Sequence, residues 1–214
     1  MNRTVICFDL DDTLYKEIDF VESAYKEIAS SVERPELVSL MMQWYHEGKN
    51  VFEQLNSYLG LETPIVDYLH MYRRHIPAIS LSQEVIGVLD ELKHRGAVIG
   101  LITDGRSVSQ RNKINILGLE RWIEEKNVII SEESGAEKTD VRTFQYFMDL
   151  YPGCLYWYVG DNPQKDFVVP NLFHWHTVML KDDGRNIHNQ GLVSDEYRPK
   201  TTIASIGELL DLIG

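Results

Sequence analysis

The stretch Thr4-Val5-Ile6-Cys7-Phe8-Asp9-Leu10-Asp11-Asp12-Thr13-Leu14 decides how this chain folds, because an apolar run ends abruptly in three carboxylates. Thr4 to Phe8 are β-branched or aromatic and nearly all apolar, which predicts a strand buried on both faces, as in a parallel sheet. In extended chain Asp9 and Asp11 share one face, roughly 6 to 7 Å apart, with Leu10 turned the other way. Two carboxyl groups so spaced can flank a small tetrahedral group. Alone, an Asp-x-Asp at a strand end more often solvates a loop or caps the next helix, so its meaning depends on residues elsewhere.

The chain of 214 residues has room for one sizeable core or two modest domains. Its hydrophobic content of 43% and charged content of 25% are those of a soluble globular protein. A net charge of -12 argues against general affinity for nucleic acid or anionic membranes, both of which need clustered Lys and Arg. A phosphate-bearing substrate must then be held by local features against the overall field. Cys7 and Cys154 are the two cysteines, too few for a disulfide framework, and a cytoplasmic setting is expected. No apolar run approaches the roughly 18 residues that span a bilayer, and no signal peptide is expected.

After the first strand the texture becomes helical. Phe20, Val21, Ala24, Tyr25, Ile28, Ala29 and Val32 recur at helical spacing, and the pattern continues from Pro35 to Gly48, from Val51 to Gly60, and from Pro64 to Arg73 and Arg74. From Ser82 helix and strand alternate. Strands are predicted at Ala97 to Ile102, Asn127 to Ile130, Leu155 to Val159 and Thr177 to Leu180, with helices between them and a last helix at Ser205 to Leu212. Residues 181–202 read as loop, with a short strand near Leu192. The expected architecture is an α/β, doubly wound (Rossmann-like) parallel sheet core formed by 1–15 and 81–214, with an inserted helical cap at 16–80. Four helical patterns exceed what one crossover between parallel strands needs.

Three later strand ends bear on the first. Leu101-Ile102-Thr103-Asp104-Gly105 sets a hydroxyl and a Gly-flexible backbone ahead of a helix, where N–H groups and Thr103 can donate to phosphoryl oxygens, although a plain turn with an Asp104 or Ser107 cap is an equal reading. Lys138, in Gly135-Ala136-Glu137-Lys138-Thr139, can supply the fixed positive charge that an acidic, phosphate-binding site needs. Val159-Gly160-Asp161-Asn162-Pro163-Gln164-Lys165-Asp166 places two more carboxylates, with Asn162 and Pro163 suited to cap and open a helix. Buried near Asp9, these groups would resist ionisation without a cation, and a hard, oxygen-loving ion such as Mg²⁺ answers that. His174 and His176 alternate around Trp175, a pair read as core or surface rather than as metal ligands.

Taken together, Asp9-x-Asp11-x-Thr13, Thr103, Lys138 and Gly160-Asp161-x4-Asp166 resemble the haloacid dehalogenase (HAD) superfamily over the whole chain, and the helical stretch resembles its cap inserted between the first and second motifs. The resemblance implies a Mg²⁺-dependent phosphomonoester hydrolase. Asp9 would be the nucleophile that forms an aspartyl-phosphate, and Asp11 the general acid and then base. Mg²⁺ would be held by the Asp9 carboxylate, the Asp11 carbonyl and Asp161, supported by Asp166. Thr103, the N–H groups near Asp104 and Gly105, and Lys138 would grip the phosphoryl oxygens. The expected partner is a small soluble phosphorylated metabolite, with no nucleic acid and no membrane, and the protein is expected as a monomer or small homo-oligomer. An acid at position 11 separates such phosphatases from 2-haloacid dehalogenase-type hydrolases, since a halide leaves without a proton. The other alternative is a phospho-accepting signalling or binding module, a shorter domain without an inserted cap. Tyr15, Lys16, Glu17, Trp44, His46, and Arg73, Arg74 and His75 near the return to the sheet, are the candidates to meet the leaving group; most are expected to be structural, Trp44 and Tyr45 first, on an apolar helical stripe.

Overall fold

The computed structural model describes residues 3–214. The chain divides into two compact units, one running through Glu17 and resuming at Ser80–Gly214, the other formed by Ile18–Ile79.

The first unit is built on six parallel strands: β1 (Thr4–Phe8), β2 (Val98–Thr103), β3 (Val128–Ile130), β4 (Leu155–Gly160), β5 (His176–Leu180) and β6 (Thr201–Ile203). They lie in the order β3-β2-β1-β4-β5-β6, so β1 is central and the winding reverses beside it. This is the α/β, Rossmann-like arrangement, in which the crevice past the strand ends at the reversal is the usual ligand site. Val5 to Phe8 are fully buried, as a central strand covered on both faces requires. Register sets Phe8 beside Leu101 on one side and Val159 on the other, and the Asp9 N–H donates to the Val159 carbonyl at 2.8 Å. Asp9, Thr103 and Asp161 therefore leave the sheet at one edge.

The second unit holds most of α1 (Glu17–Ser31) and all of α2 (Val38–His46), α3 (Val51–Leu59) and α4 (Ile65–Arg74). In α1 the buried Phe20, Val21, Ala24, Tyr25 and Ile28 keep the spacing of one helix face. The Asn50 side chain caps α3 through the Glu53 N–H, and Gly60 closes it with a left-handed φ of 66°. The core is aromatic: Phe52 stacks on Tyr68 at 5.4 Å, and the buried Tyr68 satisfies its hydroxyl on Asn56 at 2.9 Å. His75 is buried here, its ring 4.8 Å from Phe20 and its Nδ1 2.8 Å from the Tyr72 carbonyl, and Trp44 is buried as well.

The helices of the first unit are α5 (Gln83–His94), α6 (Ser107–Leu117), α7 (Ser131–Ser134), α8 (Val141–Leu150), α9 (Val168–Leu172) and α10 (Leu209–Ile213). Ser82 caps α5 and Asp140 caps α8, the latter accepting from the Arg142 N–H at 2.9 Å. Phe144 and Phe147 of α8 pack with Tyr158, Trp175, Cys7 and Val98 over one face of the sheet. Gly100 permits this approach, because a Cβ there would stand 2.7 Å from the Phe147 ring and 2.8 Å from the Cys7 sulfur.

Two local expectations need correction. Leu192 forms no strand; its side chain is fully exposed after Gly191, and the sixth strand is Thr201–Ile203, where Ile203 is buried. Asn162 and Pro163 open no helix either. The Asn162 carbonyl accepts from Lys165 N and Asp166 N, which makes a single turn, and the next helix starts at Val168. Among the described residues no helix is long and apolar enough to cross a membrane.

Candidate active site

Asp9, Asp11, Thr103, Lys138 and Asp161 line one pocket of about 110 Å³, with Glu17, Lys165 and His188 also on its wall. Asp9 follows β1, Thr103 ends β2, Asp161 follows β4, and Lys138 comes from the loop between α7 and α8. All four are buried. Lys138 Nζ lies 2.5 Å from Asp9 Oδ1 and 2.8 Å from Asp166 Oδ1, so one ammonium joins two carboxylates.

Asp166 is a brace. Its Oδ2 accepts from the Asp161 N–H at 3.0 Å and the Asn162 N–H at 2.8 Å, while Oδ1 takes Lys138. Gly160 is what lets this carboxylate close on the strand end, since a Cβ there would lie 2.7 Å from Asp166 Cγ.

Burial dominates the electrostatics. It pushes the Asp9 carboxyl up to about 7 against the pull of Lys138, with Asp166 and Asp11 adding to the rise. Asp161 is pushed up to about 9 by burial, then by Asp9 and Asp166. Burial disfavours the Lys138 charge, but Asp166 and Asp9 more than offset that and hold the ammonium well above its ordinary value. Among the described residues Asp9, Asp161 and Asp166 form the group whose members offer one ligand atom each within 4.8 Å of one another. Oxygen-only donors that are reluctant to ionise together fit a hard divalent cation. The two histidines around Trp175 have no part in this cluster; His176 stacks on Trp157 at 4.3 Å.

Asp11 sits past the strand end, and extended-chain alternation does not govern it. It has its own lysine. Lys113 Nζ lies 2.7 Å from Asp11 Oδ1, Gln110 Nε2 donates to Oδ2 at 2.9 Å, and the Tyr15 hydroxyl donates to Oδ1. Burial opposes ionisation of Asp11, yet Lys113, Tyr15 and Gln110 together hold its carboxyl below the ordinary value. Beside it Glu17 is pushed up to about 8, by burial and then by Asp11.

The Gly105 N–H donates to Ser131 Oγ at 3.0 Å and Asp104 Oδ1 accepts from the Lys138 N–H at 3.0 Å, so both knit neighbouring loops to the β2 end. Sequence reasoning missed the segment after β5. Asn186 Nδ2 donates to Asp161 Oδ2 at 3.0 Å, and its Oδ1 accepts from Lys16 at 2.7 Å. Asp12, in a left-handed conformation with φ 55°, accepts from the Glu17 and Ile187 N–H groups. The one signal for this was the third acid of the opening motif.

Residues 6–168 match the family described as haloacid dehalogenase-like hydrolase. The chain belongs to that family, and it is an enzyme of the phosphatase type. A relative from Methanocaldococcus jannaschii, named glyceraldehyde 3-phosphate phosphatase, is 30% identical over 97% of this chain and 96% of its own. A second protein of that name, from Methanothermobacter thermautotrophicus, is 26% identical over 79% of this chain and 77% of its own. The fold is shared with a HAD-hydrolase of Bacillus subtilis solved with magnesium bound, at TM-score 0.74 and 18% identity over 100% of this chain and 99% of that one. It is shared too with a HAD phosphatase of Thermococcus onnurineus, at TM-score 0.63 and 19% identity over 99% of this chain and 98% of that one.

Proposed function

We propose that the protein is a Mg²⁺-dependent phosphomonoester hydrolase that works through an aspartyl-phosphate on Asp9, with glyceraldehyde 3-phosphate or a similarly small phosphometabolite as substrate. The observation that carries this reading is the Asp9 carboxylate at the floor of the pocket, 2.5 Å from Lys138 and clustered with Asp161, with a second, separately held carboxylate two residues on. The names of the relatives support the choice of substrate.

Asp9 Oδ attacks phosphorus and the bond to the leaving oxygen breaks as the new one forms. Asp11, whose charge Lys113 and Gln110 favour in the free site, takes up a proton as substrate binds and gives it to the departing alkoxide, then takes one from the water that cleaves the aspartyl-phosphate. Thr103 and Lys138 hold phosphoryl oxygens, while Asp104 and Gly105 hold the loop that carries Thr103. The Asp9 and Asp161 carboxylates and the Asp11 carbonyl would hold Mg²⁺, braced by Asp166. When bound, the ion neutralises charge on the carboxylates and the transferring group. The unit Ile18–Ile79 serves as the cap that selects the leaving group. An acid at Asp11 favours a leaving alcohol over a leaving halide.

Phosphate release from glyceraldehyde 3-phosphate, other sugar phosphates, phosphoglycolate and nucleotides, with Mg²⁺ present, tests the reading in wild type and Asp9→Asn. Turnover of a small phosphometabolite that disappears in the variant is expected. Retained turnover in Asp9→Asn, or halide release from 2-haloacids without phosphatase activity, would overturn it.

A further inference from the structure

Helix α6 carries two side chains for which the mechanism above has no use, Gln110 and Lys113. Three residues apart, they share one helix face. They are 2% and 3% exposed, and full burial of a lysine calls for a partner and a reason. The nearest partner is Asp11, with Glu17 Oε1 3.7 Å from the same ammonium. Lys113 Nζ takes Oδ1 at 2.7 Å, and Gln110 Nε2 takes Oδ2 at 2.9 Å, so one rigid element grips both oxygens of a carboxylate that lies beyond the regular strand. Gln110 Nε2 also donates to Thr103 Oγ1 at 2.6 Å. A hydroxyl has a single proton, and one that accepts from Gln110 keeps that proton for another acceptor.

We propose that Gln110 and Lys113 are positioning residues that act through Asp11, setting its carboxylate for proton transfer to the leaving oxygen and tying that placement to the Thr103 hydroxyl. The proposal rests on the phosphatase reading. In the step concerned, the phosphorus–oxygen bond of the ester breaks, its electron pair stays on the leaving oxygen, and the proton that Asp11 has taken up on substrate binding moves to that oxygen. Lys113 and Gln110 exchange no atoms. They determine where the carboxyl group stands when the proton is needed.

Dependence on the leaving group separates this role from a purely structural one. An alkyl alcohol leaves poorly without a proton, whereas p-nitrophenolate leaves without one. With saturating Mg²⁺, Lys113→Met and Gln110→Met are expected to lower kcat/KM, which reports the steps through departure of the leaving group and not the later hydrolysis in which Asp11 serves both substrates alike, by about 10- to 100-fold on DL-glyceraldehyde 3-phosphate and by less than about threefold on p-nitrophenyl phosphate, the pattern expected of Asp11→Asn. In the Asp11→Asn background Lys113→Met should cost nothing more, because both changes remove one function. Should Lys113→Met fail to fold, Gln110→Met carries the same comparison with the ion pair intact. Equal losses on both substrates, no loss on either, or a further loss in the Asp11→Asn background overturns the positioning role alone. Turnover that survives Asp9→Asn overturns the phosphatase reading and this proposal with it.

Discussion

At the scale of single residues the site is a contest between burial and charge, and Asp161 shows who wins. Its carboxyl stands at about 9 against an ordinary 3.8, and that of Asp9 at about 7. A raised value means that the folded chain keeps a proton which the unfolded chain has already released. The stabilisation is therefore fully present below the ordinary 3.8 and is lost as pH rises through about 7 for Asp9 and about 9 for Asp161. Without metal, the melting temperature should fall between about pH 5 and pH 9, and Asp161→Asn should flatten the fall. That variant should melt higher than wild type at about pH 8, by about 3 °C or more, the effect of roughly 1 kcal/mol in a domain of this size. Mg²⁺ should raise the wild-type melting temperature at that pH and raise the variant's less. Thermal unfolding with and without a chelator checks this; an Asp161→Asn protein less stable than wild type in metal-free buffer refutes it. Lys138 and Asp161 could be picked out of the sequence because each follows or precedes an element at a place where chemistry collects. Lys113 could not. In Ser107-Val108-Ser109-Gln110-Arg111-Asn112-Lys113 it reads as one more polar residue on a surface helix, and only the tertiary fold turns it inward.

At the scale of elements, the sequence was readable wherever periodicity and caps agreed. The four helices of 18–79 and strands β1, β2, β4 and β5 fall where apolar spacing, Pro35, Gly48, Gly60 and Gly96 place them. The misses share a cause, which is that side chains supplied the order. The turn after β4 is organised by the Asp166 carboxylate reaching back to two N–H groups, and the segment after β5 by Asp182, whose Oδ1 accepts from Gly184, Arg185 and Asn186. Neither leaves a hydrophobic period to read. Two glycines test the difference between packing and site architecture. Gly100→Ala drives a methyl into Phe147 and Cys7, and overpacking of this kind costs about 1–3 kcal/mol. Gly160→Ala drives one into Asp166 instead, with a similar cost in stability. The two should part on metal binding. Gly160→Ala should weaken the Mg²⁺-induced rise in melting temperature because Asp166 loses its hold on the Asp161 and Asn162 N–H groups, while Gly100→Ala should leave that rise unchanged. Equal rises in the two variants would show that Asp166 does not organise the cation site.

At the scale of the whole molecule, the strand order is what makes four distant motifs one site. With β1 central and β2 and β4 on either side, the chain's first, second and fourth strands must end at one edge, and residues more than a hundred positions apart meet there. That much follows from alternating helix and strand, and it explains why short motifs at strand ends carried so much of the reading. Net charge acts at the same scale. A chain of -12 repels an anionic substrate and attracts Mg²⁺, and the pocket's own wall, with Asp9, Asp11, Glu17, Asp104 and Asp161 against Lys138 and Lys165, leans the same way. Added salt shortens the Debye length from about 30 Å at 0.01 M to about 8 Å at 0.15 M, which screens both effects. Over that range kcat/KM for a dianionic phosphate ester at saturating Mg²⁺ should rise by about twofold or more, while apparent affinity for Mg²⁺ falls. The two opposite slopes, measured on one preparation by steady-state kinetics and by Mg²⁺ titration of thermal stability, form the test. If kcat/KM falls with salt when Mg²⁺ is saturating, the approaching phosphate responds to the local lysines and the bound cation rather than to the field of the whole chain.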